Sequence, residues 1–149
     1  MKITQIREKD GVEALSVLDF NLLIEKIKTE IKTRPVTGLR QALHFVLPGE
    51  SCSFAGKLPK VIPAAVFGRV NGVKRMKVYN GIVELTVGPL AGKVEVDLVK
   101  KKAAELPQTM FAYMGASGNS VKIWTLFTRP DGTLPQTQEE AEIFQAHAY

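Results

Sequence analysis

The first third of the chain places apolar residues three and four positions apart, the spacing of one face of a helix. Asp19 suits the N-cap of this helix because its carboxylate can accept hydrogen bonds from the first free backbone N–H groups. The apolar positions that follow are Phe20, Leu23, Ile24, Ile27 and Ile31. We therefore predict a helix over Asp19–Lys32, which Arg34-Pro35 should end because a residue before proline avoids the α region. The same kind of pattern predicts a second, shorter helix over Gly38–Val46, and no element is predicted for residues 1–18.

From residue 63 onward, apolar and polar residues alternate instead, which is typical of strands. Two strands are predicted over Pro63–Val70 and Tyr79–Val87, with the dipeptide Asn71-Gly72 as turn material between them. Two more strands are predicted over Met110–Met114 and Ser120–Thr128.

Two further helices are predicted in the second half of the chain. Apolar residues share one helical face over Lys93–Leu106, although the first half of this segment also alternates. Thr137 and Glu140 have the spacing of a capping box and should open the last helix. This helical pattern is still running at Tyr149, so we expect the chain to stop short of a complete fold.

The order of these elements favours an α+β class, with a mixed or mostly antiparallel sheet and helices packed on it. The segments do not repeat β–α units as a doubly wound sheet would. A chain of 149 residues fits a single domain. In particular, Tyr79–Val87 and Ser120–Thr128 should be strands of one sheet, and the Asp19–Lys32 helix should pack on it.

The composition indicates which kind of partner and which cellular compartment to expect. The formal net charge of +5 favours an anionic partner, with nucleic acid first and phosphorylated ligands second. No apolar run approaches the roughly 18 residues that a membrane span needs, and the N-terminus lacks a signal-peptide core. The single cysteine, Cys52, excludes an internal disulfide and fits a reducing compartment, so a cytoplasmic protein is expected. As a nucleophile, Cys52 would need His44 or His147 as its base.

Three segments, in order, resemble the VirE-type N-terminal domain found on primase–helicase proteins of mobile elements. The segment Lys57–Gly68 (KLPKVIPAAVFG) is similar to that family's lysine, leucine–proline stretch leading into a strand and a glycine. The segment Tyr79–Leu90 (YNGIVELTVGPL) is similar to a family strand with tyrosine, a small residue and glycine before an apolar run. The segment Ser117–Trp124 (SGNSVKIW) is similar to the family's serine–glycine turn, lysine and outgoing strand.

The resemblance implies a branch of the archaeo-eukaryotic primase superfamily, which binds a nucleoside triphosphate and metal at an acid-x-acid motif. In this sequence the two acid positions fall on Thr86 and Gly88. Nucleotidyl transfer needs two metal ions about 4 Å apart, held by carboxylates, and strand alternation leaves Glu84 as the acid on that face. Glu95 and Asp97 fit a solvated helix face more simply. We therefore predict no catalytic residues, no metal site, no cofactor and no nucleotidyl transfer.

The small-residue turn between the last two strands is the best remaining site. Its glycines let successive backbone N–H groups point into one phosphate-sized concavity, while serine hydroxyls and a lysine add donors and charge. The candidate residues are Ser117, Gly118, Asn119, Ser120 and Lys122. The alternative is an ordinary hairpin turn with the lysine extending to solvent. The segment GASGNS lacks the Gly-Lys-Ser/Thr ending of a P-loop.

Two basic clusters could add phosphate contacts, which give affinity without sequence information. The first consists of Arg69, Lys74, Arg75 and Lys77, and the second is Lys100-Lys101-Lys102. Both also fit a plain solvated surface. Tyr113, Trp124 and Phe127 are candidates for base stacking. Trp124 shares strand parity with Lys122, and Val121 shares it with Ile123, so one of these two faces must be core, and we expect Trp124 to be a core or edge residue.

Three hypotheses follow for the function. The leading one is a catalytically degenerate primase-like domain that binds single-stranded DNA or nucleotide phosphates weakly. The second is a protein-interaction or scaffold domain with no anionic ligand. The third is an active primase-polymerase that uses acids outside this chain.

Overall fold

The structure is a computed structural model that describes residues 1–30, 34–45 and 58–148. The described residues form four helices and eight strands, and every strand pairing among them is antiparallel. This confirms the α+β class. None of the helices in these ranges has the length and apolar character that a membrane crossing requires. Six positions named in the sequence predictions lie outside the described residues: Ile31, Lys32, Val46, Cys52, Lys57 and Tyr149.

The chain begins with a hairpin that the sequence patterns did not predict. Strand β1 (Lys2–Lys9) pairs with β2 (Val12–Asp19) across a turn at Asp10-Gly11, where both φ angles are positive, at 53° and 74°. Two-residue turns of this kind match the twist of the flanking strands. Residues 3–6 of β1 are all buried, so no alternation of apolar and polar residues marks this strand. A short strand, β3 (Lys60–Ile62), pairs with the other edge of β1.

Two helices follow the first hairpin. Helix α1 (Phe20–Glu30) begins as predicted, because the Asn21 backbone N–H donates to Asp19 Oδ1 at 2.9 Å. Helix α2 (Arg34–Leu43) begins four residues before the predicted Gly38. The predicted end of the first helix at Arg34-Pro35 borders residues 31–33, which lie outside the described residues. Pro35 itself lies in the first turn of α2, where a missing N–H costs no helical hydrogen bond.

The next two strands form a two-stranded unit, which we call the β4–β5 ribbon. It consists of β4 (Ala65–Val70) and β5 (Val73–Tyr79), joined by the predicted Asn71-Gly72 turn. The predicted strand over Tyr79–Val87 was wrong at its start, because Tyr79 ends β5. Three basic residues interrupt the apolar pattern of β5, which explains why its strand was missed.

The third sheet confirms the central architectural prediction. It contains β6 (Ile82–Val87), β7 (Thr109–Met114) and β8 (Val121–Leu126), in the order β6-β8-β7. Helix α1 packs on one face, where its Phe20 and Leu23 join a core cluster containing Trp124.

The other two helices cover different surfaces. Helix α3 (Lys93–Ala104) packs on the opposite face of the third sheet, with Val96 against Val121 and Ile123. Helix α4 (Gln138–Ala148) packs on the ribbon through a separate cluster of buried residues, which are Ala65, Tyr79 and Ala141. The Glu140 N–H donates to Thr137 Oγ1 at 3.2 Å, as the capping box predicts.

Candidate functional site

The register of β6 and β8 brings two of the candidate segments side by side. Thr86 lies directly opposite Lys122, and Glu84 lies opposite Trp124. Side chains that face one another across an antiparallel pair lie on the same side of the sheet, so all four share one face. We call this side of the third sheet the Lys122 face.

The end of β6 also meets the serine–glycine turn. A Cβ atom at Gly88 would lie 2.9 Å from Ser120 Cβ and 3.0 Å from the Asn119 carbonyl oxygen. Gly88 itself has φ 154°, and its lack of a side chain permits this close approach. The two positions to which the resemblance assigns acids, Thr86 and Gly88, therefore lie beside Lys122 and Ser120.

Glu84 organises the centre of the Lys122 face. Its carboxylate accepts a hydrogen bond from Lys122 Nζ at 2.7 Å and another from Trp124 Nε1 at 2.8 Å. The Glu84 and Lys122 side chains are 26% and 32% exposed, so water screens this ion pair only in part. Tyr113 lies opposite Lys122 on β7, and its pKa is raised by burial and, to a lesser extent, by the negative charge of Glu84.

Within the serine–glycine turn, many polar groups bind one another. The Gly115 N–H donates to the Ser120 carbonyl at 2.8 Å, and the Gly118 N–H donates to the Gly115 carbonyl at 3.0 Å. The Ser117 hydroxyl donates to Asn119 Oδ1 at 2.6 Å and lies 3.4 Å from the Ser120 hydroxyl. Two of the backbone donors that a phosphate nest would use are therefore already engaged in the hairpin turn.

A second cation reaches this turn from a distant part of the chain. Arg40 of helix α2 donates from Nε to the Ala116 carbonyl at 3.1 Å and from Nη2 to Met114 Sδ at 3.4 Å. Its guanidinium also covers Gly118, since a Cβ there would lie 3.3 Å from Arg40 Nε. Sequence reasoning missed Arg40, because no local motif links it to residues 74 to 76 positions later.

The four basic residues predicted as one cluster on the ribbon lie on two different faces. Arg69 and Lys74 are cross-strand partners on one face. Arg69 donates to the Gly72 carbonyl at 2.8 Å and to the Glu13 carbonyl at 3.1 Å, while Lys74 Nζ lies 5.0 Å from the centre of the Phe67 ring. Arg75 and Lys77 belong to the other face, because Arg75 pairs with Gly68 and Lys77 lies across Gly68. Among the described residues, no hydrogen bond or ion pair joins these four to the serine–glycine turn.

Trp124, predicted as a core or edge residue, lies in the core. Its side chain is 0% exposed, and its ring contacts those of Phe20, Phe111 and Tyr113 at centroid distances of 5.8 to 6.0 Å. A fully buried ring cannot stack on a nucleobase without local unfolding. In the part of the chain that the structure describes, no three or more His, Cys, Asp or Glu residues cluster so that they could hold a metal ion.

Taken together, the fold and the Lys122 face define an antiparallel α+β protein with two cations beside a serine–glycine turn. Residues 53–149 match the family described as BT4734-like, N-terminal domain. Because this match covers more than half of the chain, the protein belongs to that family. No curated protein and no solved structure matches the chain.

Proposed function

We propose that this chain is a catalytically degenerate primase-like domain that binds nucleotide or nucleic-acid phosphates at the Lys122 face. The proposal rests on one observation above all, the register of β6 and β8. This register brings Thr86 and Gly88 against Lys122 and Ser120, so two segments that resemble the VirE-type domain converge on a single surface.

The chemistry of this face suits an anion better than a metal ion. Lys122 and Arg40 supply positive charge, and Ser120 carries a hydroxyl at the end of the same strand pair. Ser117 adds a second hydroxyl, which could donate to an anion once it releases Asn119 Oδ1. Thr86 is exposed and neutral where a metal ligand would be a carboxylate. A phosphate that reached Lys122 would compete with Glu84 for the same ammonium group, so the affinity should be weak.

Binding can be measured through Trp124, the single tryptophan of the chain. Its indole N–H donates to Glu84, so a ligand that draws Lys122 away from Glu84 should change the tryptophan emission. We expect a saturable change on titration with a nucleoside triphosphate or with single-stranded DNA at low salt.

Lys122→Ala should weaken this binding about 5- to 30-fold, the loss of one charge-assisted contact. Lys101→Ala is the matched control, because it removes the same charge from an exposed position of helix α3. Equal effects of the two substitutions, or no binding by the parent chain, would refute the proposal.

A scaffold domain without an anionic ligand is the second candidate, and the structure offers one observation in its favour. Lys122 already has Glu84 as its partner, and the turn satisfies several of its own donors. A titration without any change in Trp124 emission, together with intact folding, would put this candidate first.

A further inference from the structure

The positive charge of this protein is concentrated in the β4–β5 ribbon. The segment from Pro63 to Val83 contains four basic residues, namely Arg69, Lys74, Arg75 and Lys77, and no Asp or Glu. It therefore carries a charge of +4, whereas the whole chain carries +5. Such local charge creates a field that attracts polyanions.

The two faces of the ribbon have different environments. One face packs on helix α4, where Phe67 and Met76 join the cluster around Tyr79 and Ala141. The opposite face carries Arg75 and Lys77, both exposed, with valines beside them. These valines are Val70, Val73 and Val78, at 44%, 52% and 54% exposure. This second face is therefore open to a partner.

The basic residues of the two faces also differ in their contacts. Arg69 binds two backbone carbonyls and Lys74 lies over Phe67, so both contribute to the local structure of the ribbon. Arg75 and Lys77 take part in none of the ion pairs formed between described residues. Gly68 leaves room for Lys77 to lie across the strand pair, because a Cβ there would be 3.1 Å from Lys77 Cε.

We propose that the open face of the β4–β5 ribbon binds duplex DNA, with Arg75 and Lys77 on backbone phosphates. Two strands about 4.8 Å apart, with their side chains, fit the major groove of B-form DNA, which is about 12 Å wide. The aromatic residues of the ribbon, Phe67 and Tyr79, both lie on the packed face. The open face thus has no ring for stacking on unpaired bases, which favours duplex over single strands.

The lack of an aromatic ring on the open face also favours DNA over a lipid surface as the partner. Protein segments that bind at the membrane interface usually insert Trp, Phe or Leu, and the open face offers valines alone among its apolar residues. The inference does not depend on the proposed function of the Lys122 face, since it concerns other residues and a double-stranded ligand.

The test is fluorescence anisotropy with a labelled 20-base-pair DNA duplex and one of its strands, at low salt. The parent chain should bind the duplex more tightly than the single strand. The double variant Arg75→Ala/Lys77→Ala should lose about tenfold or more in duplex affinity, and the log–log salt slope should fall by about 2. The variant Arg75→Lys/Lys77→Arg keeps both charges and should bind nearly as well as the parent.

The matched control is Lys101→Ala/Lys102→Ala, which removes two charges from exposed positions of helix α3. An equal loss of duplex affinity in this control would show that the effect depends on net charge alone, and it would overturn the proposal. Tighter binding of the single strand, or binding to anionic vesicles without binding to duplex, would also overturn it. So would an alanine variant that self-associates but binds DNA unchanged, because Arg75 and Lys77 would then protect a strand edge.

Discussion

Replacing Glu84 tests the organisation of the Lys122 face most sharply. Glu84→Gln keeps the size of the side chain and an acceptor for the Trp124 N–H, but it removes the charge that holds Lys122 at 2.7 Å. Glu84→Ala removes both contacts and leaves the buried indole N–H without this acceptor. The two substitutions therefore separate the ion pair from the hydrogen bond.

The expected costs follow from the burial of the two partners. The Glu84 and Lys122 side chains are about a quarter to a third exposed, so the ion pair contributes less than a fully buried one. We expect Glu84→Gln to lower the free energy of unfolding by about 1 kcal/mol. Glu84→Ala should cost about 2–3 kcal/mol, because an unsatisfied buried donor adds its full desolvation penalty. Urea unfolding followed by Trp124 fluorescence measures both values.

Two further properties should change in Glu84→Gln. The pKa of Tyr113 should fall relative to the parent chain but stay above 10.0, since burial is the larger cause of its raised value and Glu84 the smaller. Absorbance of tyrosinate on alkaline titration reports this shift. Nucleotide binding should strengthen about 3- to 10-fold, because the competing carboxylate charge is gone. A variant with unchanged stability, Tyr113 titration and nucleotide affinity would refute the role that we assign to Glu84.

Three other predictions concern catalysis, folding and pH. The purified chain should not synthesise or extend a primer with magnesium or manganese, and template-dependent incorporation that disappears in Glu84→Ala would contradict this. Thr4→Val should lower the free energy of unfolding in urea by about 1–3 kcal/mol, because the buried Thr4 hydroxyl donates to the Ala65 carbonyl and accepts from the Phe67 N–H. A change near zero would show that these two hydrogen bonds do not join β1 to β4. The free energy of unfolding should fall as pH rises above 10, because Tyr113 keeps its proton in the folded chain while unfolded tyrosine ionises near 10.0. This decline should be smaller in Tyr113→Phe. An equal decline in this variant would contradict the raised pKa of Tyr113.

Alternation and helical spacing predicted those elements whose two faces differ. Helix α1 buries one face, so its pattern was plain in the sequence. Strand β8 buries both faces and was predicted as an extended segment after a small-residue turn. Strand β1 has both faces buried over residues 3–6, and β5 carries basic residues among its apolar ones. Neither strand alternates clearly, so β1 was missed and β5 was merged in part with β6.

The candidate site was predictable only where its residues are neighbours in sequence. Ser117, Ser120 and Lys122 belong to one short motif, and the structure keeps them at one strand end. Arg40 comes from helix α2 and reaches the turn through tertiary packing, which no spacing rule contains. The ribbon's basic residues divide between two faces by strand alternation, once the Asn71-Gly72 turn sets the register. The sequence analysis did not predict β5 as a strand, so it treated these residues as one cluster.

The most direct test of the central claim is amide NMR of the labelled chain during titration with a nucleoside triphosphate at low salt. Binding at the Lys122 face should shift the backbone signals of Ser117–Lys122 and Thr86, together with the indole N–H signal of Trp124. The same titration of Lys122→Ala should give much smaller shifts at these positions. Spectra that do not change, or shifts confined to residues far from this face, would contradict the claim that it binds phosphates.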